Sequence, residues 1–205
     1  MYLILATNNQ NKLCEIRDIF NGTEWNVLSQ KEAGIVLDVE ETGATFAENA
    51  ALKAKAIWDA AQQNGMSYYV LADDSGLAVD ALNGGPGVYS HRYAGENATD
   101  DDRIAKLLKE LADTPDGKRG AHYACVMCLM DPNGQMHLCE GRVNGEILRE
   151  CRGDHGFGYD PVFCYEGRSF AELSFEEKNA ISHRRRALDQ IVTLLKDIAV
   201  KSEGE

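Results

Sequence analysis

Tyr68-Tyr69-Val70-Leu71-Ala72-Asp73-Asp74-Ser75-Gly76-Leu77-Ala78-Val79 combines buried-strand residues with two adjacent carboxylates. Tyr68 to Ala72 reads as one buried strand and Leu77 to Val79 as another, with Asp73-Asp74-Ser75-Gly76 as a small-residue turn between them. Two carboxylates at one strand end repel each other. Their desolvation is costly unless a cation or hydrogen-bond donors stand beside them. The segment therefore predicts a metal site, a proton-handling site, or both. A solvated turn capped by Asp side chains fits these residues alone equally well.

Outward from this strand, helix-like and strand-like patterns alternate, which sets the class as α/β. Tyr2–Ala6 reads as a first strand, Leu13–Phe20 as a short helix and Trp25–Leu28 as a strand. Thr45 with Glu48 forms a capping box for a helix whose apolar face is Phe46, Ala50, Ala54, Ile57 and Ala61, ending at Gly65. Thr99–Ala112 reads as a helix with Asp100, Asp101 and Asp102 in its first turn, where the dipole favours them. Ala121–Met130 and Met136–Ile147 read as a hairpin joined by Asp131-Pro132-Asn133-Gly134. A strand around Tyr159–Phe163 and a second capping box, Ser174 with Glu177, follow. The final helix carries Leu188, Ile191, Leu195 and Ile198, and the tail Lys201–Glu205 is expected to fray. A hairpin among crossover-connected strands implies a mixed sheet.

At 205 residues, 44% hydrophobic and 26% charged, the chain is sized and composed as one globular domain. Apolar runs such as Ala124–Met130 are too short to span a bilayer, and the N-terminus lacks the pattern of a signal peptide, so no membrane association and a cytoplasmic location are expected. The six cysteines are then expected to be reduced thiols. Cys125 and Cys128 have metal-like spacing, but they lie in a strand pattern that sends them to opposite faces, which favours core packing. A net charge of −12 argues against a nucleic-acid partner. It permits a phosphate-bearing small molecule, given a local cation or helix N-terminus.

Four features lie where α/β proteins bind ligands. Thr7-Asn8-Asn9-Gln10-Asn11-Lys12 follows the first strand and can donate to phosphate oxygens, although it is no Walker loop. Glu40-Glu41-Thr42-Gly43 precedes the Thr45 helix, and Asp73-Asp74-Ser75 is the second acidic point. The fourth feature pairs Gly156-Phe157-Gly158-Tyr159-Asp160 with the basic run of Lys178, His183, Arg184, Arg185 and Arg186. Its bland reading is an exposed basic helix turn with Phe157 and Tyr159 in the core. Glycines on both sides of Phe157 favour an exposed loop of close approach. Two acidic points, two cationic points and an aromatic loop suit a polyphosphate nucleotide with a divalent cation between carboxylate and phosphate.

These motifs resemble the inosine/xanthosine triphosphatase, or Ham1-like, family of nucleoside triphosphate pyrophosphatases. The matching stretches are LATNNQNK from Leu5, EETGATFAENA from Glu40, ADDSGLAVD from Ala72, GGPGVYSHRYAG from Gly84, GFGYDPVF from Gly156 and LSFEEKNAISHR from Leu173. The resemblance implies an elongated mixed sheet flanked by helices in two lobes with a cleft. It implies a homodimer that hydrolyses ITP, dITP and XTP to monophosphate and pyrophosphate with Mg2+. Thr7 to Lys12 and Lys53 would hold phosphates, Glu40 and Asp74 the Mg2+, and Asp74 would serve as general base with Ser75 beside it. Phe157, Gly158, Tyr159, Asp160, Lys178, His183 and Arg184 would form the nucleobase and substrate pocket. Which of Glu40 and Glu41 is the ligand is a matter of register. Asn8 stands where relatives often have Gly, in a loop that could use positive φ, and Arg185 where many have Gly. A nucleotide sensor lacking turnover and a basic-patch nucleic-acid binder are the competing classes.

Overall fold

The computed structural model describes residues 1–202, with side chains described to residue 198. Strands β1 (Tyr2–Leu5), β2 (Asn26–Ser29), β3 (Tyr69–Val79), β4 (Gly120–Met130), β5 (Met136–Ile147), β6 (Phe163–Tyr165) and β7 (Arg168–Ser169) form one sheet in the order β2-β1-β3-β4-β5-β6-β7. β1 is parallel to β2 and β3, while β5–β6 and β6–β7 are antiparallel, so the sheet is mixed as expected. The helices are α1 (Gln10–Phe20), α2 (Phe46–Gln63), α3 (Asp100–Glu110), α4 (Phe175–Ile181) and α5 (His183–Ser202). The frayed-tail expectation falls partly on residues 203–205, outside the described residues; Lys201 and Ser202 continue α5.

Backbone contacts gather into two compact units, each drawing on separate stretches of chain. The first holds Met1–Asp74, Val126–Glu140 and the segment from Ala187. Its core sets Ala50, Ala54, Ile57 and Ala61 of α2 against Ile4, Val70, Ala72, Val126, Cys128 and Met130. The register Ile4↔Val70 places these strand residues on one face, and alternation places Leu3, Leu5 and Leu71 on the other. Thr45 and Glu48 form the capping box that starts α2, and Gly65 follows it at φ 71°. Cys125 and Cys128 are buried within β4, in keeping with a packing role.

The second unit holds Ser75–Cys125 and Gly141–Arg186. Ile104 and Leu107 of α3 pack with Leu77, Val79, Tyr123, Val143, Ile147, Phe163 and Phe170. Arg119 is 4% exposed and donates to the carbonyls of Leu111, Ile147 and Leu148, tying the end of α3 to the end of β5. β5 pairs with β6 at Glu146 and Ile147, and farther back along the strand side chains of α5 meet it. Arg186 donates to the carbonyl of Arg142 and Gln190 to that of Glu140.

Three sequence expectations are corrected. Asp73-Asp74 does not end a strand: β3 runs unbroken through it, with Asp73 4% and Asp74 6% exposed. Neighbouring strand residues face opposite ways, so each carboxylate meets its own cation and the chain need not turn to solvate them. The expected strand Tyr159–Phe163 is wound into turns, because the amides of Val162 and Phe163 both reach the Tyr159 carbonyl, and β6 starts only at Phe163. Helix α1 starts at Gln10 rather than Leu13, since the Asn9 side chain caps the amides of Asn11 and Lys12.

Replacing Arg119 with Met would leave two buried carbonyls and one half-buried carbonyl without this donor. Losing hydrogen bonds to a charged group costs about 1.5–3 kcal/mol each, not additively. A loss of at least about 3 kcal/mol is therefore expected in urea denaturation, on that same scale.

Candidate functional site

Asp74 continues the row of Val70 and Ala72, the face that α2 covers. Two α2 residues one turn apart reach it there. Asn49, fully buried, donates its Nδ2 to Asp74 Oδ2 at 3.0 Å. Lys53 Nζ stands 3.5 Å from Asp74 Oδ1 and 2.6 Å from Glu41 Oε1. Asn49 Oδ1 also accepts the Gly43 amide at 2.7 Å, so one side chain fixes both the carboxylate and the acidic loop. A Cβ at Gly43 would lie 2.7 Å from Asn49 Oδ1 and from Glu48 Cβ, so the close approach needs glycine. Sequence reasoning missed Asn49. Its only signal was an amide one turn before Lys53 on the α2 face that points at the sheet.

Electrostatics follow from this packing. Burial raises the Asp74 pKa; Lys53 opposes it, Glu41 adds to it, and the Asn49 hydrogen bond and Lys12 lower it without prevailing. For Lys53, burial alone would lower the pKa, but the charges of Asp73, Asp74 and Glu41 raise it. The ammonium thus compensates several carboxylates in a partly dry site.

Of the two loop glutamates, Glu41 is the one brought to Lys53 and Asp74, whereas Glu40 is exposed. Among the described residues no group of three or more His, Cys, Asp or Glu is poised to hold a metal. A pair of hard carboxylates sharing one cation suits Mg2+, which takes one or two carboxylates and fills its shell with phosphate oxygens and water.

Asp73 faces the α1 side, where Lys12 Nζ meets it at 2.8 Å. Thr7 Oγ1 accepts the Asn9 amide, and Asn9 Oδ1 accepts the amides of Asn11 and Lys12. Two of the helix-start donors expected for phosphate are thus turned to Asn9. Asn8, Asn9, Gln10 and Asn11 are exposed and Thr7 half-buried. Asn8 has no positive φ; among the described non-glycine residues only Asn83 and Glu166 do, so asparagine stands here without backbone strain.

The second unit assembles the aromatic loop and the basic run. Lys178, His183 and Arg184 are buried, which removes the exposed-patch reading for these three. Lys178 Nζ bonds Asp160 Oδ2 at 2.6 Å and lies 4.3 Å from the centroid of the Phe157 ring. The Arg184 guanidinium is 5.9 Å from the same ring, and its Nη2 reaches Ser75 Oγ at 3.4 Å. His183 stacks on Tyr123 at 4.7 Å. Asp160 also accepts the Phe157 amide at 2.9 Å. Tyr159 is a core residue, 3% exposed, with its hydroxyl on the Ser90 carbonyl, and so is not an exposed ring of the loop. Phe157 is only half-buried. The Gly158 amide bonds Asp100 of α3 at 2.7 Å, a second contact the sequence did not reveal.

Residues 3–194 match the model of the Ham1 family. The chain is 47% identical over 198 residues to the dITP/XTP pyrophosphatase of Clostridium perfringens, spanning 95% of this chain and 97% of the relative. It is 48% identical over 197 residues to the protein of that name from Geobacter sulfurreducens, spanning 95% and 94%. A solved HAM1 protein from Coxiella burnetii superposes with a TM-score of 0.86 at 47% identity, covering 96% of this chain and 99% of that one. The Ham1 protein of Staphylococcus aureus does so with a TM-score of 0.86 at 42% identity, covering 96% and 99%. The matched stretch includes the acidic strand, α2 and the aromatic loop, and the chain belongs to the Ham1 family.

Proposed function

We propose that the protein is a Mg2+-dependent pyrophosphatase of non-standard purine nucleoside triphosphates. It would cleave ITP, dITP and XTP between the α and β phosphates. The carrying observation is Asp74: a buried carboxylate with a raised pKa, aimed by Asn49 and set beside Lys53 and Glu41. The relatives' names supply the substrate class.

Asp74 takes a proton from the attacking water. The water oxygen bonds to the α phosphorus, the bond from that phosphorus to the bridging oxygen breaks, and pyrophosphate leaves. A positioned base of this kind contributes ~10²–10⁴-fold. Mg2+ held by Asp74 and Glu41 would supply a Lewis acid for the phosphate oxygens. Lys12, Lys53 and the Thr7–Asn11 segment bind the polyphosphate, with Ser75 next to the base.

Phe157 provides a stacking platform for the purine. Platforms of this kind contribute ~1–3 kcal/mol and do not distinguish bases. Selection instead follows from Lys178 and Arg184 beside that ring, which can only donate hydrogen bonds. A 6-oxo group accepts from them. A 6-amino group instead sets its own donors against those of Lys178 and Arg184, a mismatch of the sort that rejects analogues ~10⁴–10⁵-fold. Asp160 is engaged by Lys178 and the Phe157 amide, so its role is to hold the cation.

Incubation with Mg2+ and ITP, dITP, XTP, dGTP, dATP or UTP, scored for pyrophosphate against orthophosphate, tests this reading. Pyrophosphate from the 6-oxo purines ahead of dATP and UTP is expected. Orthophosphate as first product rejects α–β cleavage, and ITP binding without turnover marks a sensor.

Asp74→Asn should lower kcat by at least ~10²-fold. Its stability effect has the opposite sign. A carboxyl whose folded-state pKa is raised loses stability as pH climbs through that pKa, so charged Asp74 costs folding energy at neutral pH. The metal-free variant should therefore melt at or above the parent at pH 7, with the gap closing toward pH 4. Asn49→Ala should lower kcat and weaken Mg2+ binding measured by calorimetry, because both Asp74 and the Gly43 loop lose their tether. Unchanged Mg2+ affinity would separate Asn49 from the cation site.

A further inference from the structure

The aromatic loop is held by carboxylates from two directions. Asp160, within the loop, takes the Phe157 amide at 2.9 Å, and Asp100, from the first turn of α3, takes the Gly158 amide at 2.7 Å. Asp100 is itself fixed. Its other oxygen pairs with Arg103, whose guanidinium also donates to the carbonyls of His91 and Ala98. Arg103 is 8% exposed, while the Asp100 side chain is only partly buried. The helix does not need Asp100 for its cap, because Thr99 and Asp102 already form the capping box. Gly158 sits at φ 64°, so the Asp100 bond secures the loop at a left-handed backbone position directly after Phe157.

We propose that Asp100 is a positioning residue for the Phe157 platform: through the Gly158 amide it sets the ring against Lys178 and thereby governs affinity for the nucleobase. This rests on the assignment of Phe157 to the base. An interaction equally present in bound substrate and transition state changes KM and spares kcat. A charge-assisted hydrogen bond has a weight of about tenfold.

The test is steady-state kinetics with ITP on the full chain for Asp100→Ala, Asp100→Asn, Asp101→Ala, Phe157→Ala and the Asp100→Ala/Phe157→Ala double variant. KM should rise about tenfold in Asp100→Ala with kcat within about twofold. Asp100→Asn, which keeps an acceptor oxygen and spares the fold, should recover most of the loss. The exposed neighbour Asp101→Ala should match the parent. In the Phe157→Ala background, Asp100→Ala should add little, because its effect travels through that ring. Additive losses in the double variant, an unchanged KM in Asp100→Ala, or no recovery in Asp100→Asn would overturn the proposal. If Phe157→Ala itself leaves KM for ITP unchanged, the platform assignment fails, separately from any effect at Asp100.

Discussion

Everything at the acidic centre depends on the two-residue period of a strand. Asp73 and Asp74 are neighbours in sequence yet face opposite sides of β3, so mutual repulsion is relieved by geometry before any cation is added. Each side then has its own partner, Lys12 on one and Lys53 with Asn49 on the other. Buried charges persist only when paired or hydrogen-bonded. The sequence must therefore place a lysine on each flanking helix at the height of the pair. Glu41 shares Lys53 with Asp74, which sets two carboxylates beside one ammonium.

The second unit uses the same rule with a different outcome. Asp160 and Lys178 are both buried and bonded to each other, so their charges largely cancel. The pair serves the loop: the carboxylate also holds the Phe157 amide and the ammonium lies by the Phe157 ring. The first unit thus gathers carboxylates around an ammonium, and the second holds an ordered aromatic ring flanked by donors.

Local signals in the chain were easy to read. The Thr45 and Ser174 capping boxes, the amphipathic faces of α2 and α5 and the β4–β5 connection all rest on spacing within a few residues. Errors arose where a distant contact overrode local preference. Ser75-Gly76 looks like a turn, yet β3 stays extended because its carboxylates find cations on other elements. Tyr159 looked like a member of an exposed loop, but its hydroxyl has an acceptor in Ser90, far off in sequence. The contacts that Asn49 makes with Asp74 and Asp100 with Gly158 are not legible locally, since only folding brings those partners near. Which of Glu40 and Glu41 lies beside Lys53 is likewise set by where that lysine comes to rest.

The contacts of Arg186 and Gln190 on β5 have a bearing on solubility. Carbonyls along an unpaired strand edge are a template on which another molecule can lay down a strand. Two side chains one turn apart on α5 occupy the carbonyls of Arg142 and Glu140. They close that template with polar groups that also face water. The terminal helix is therefore a guard rail as well as core material: while it is docked, this stretch of sheet margin has no carbonyl at those two positions to offer a passing chain.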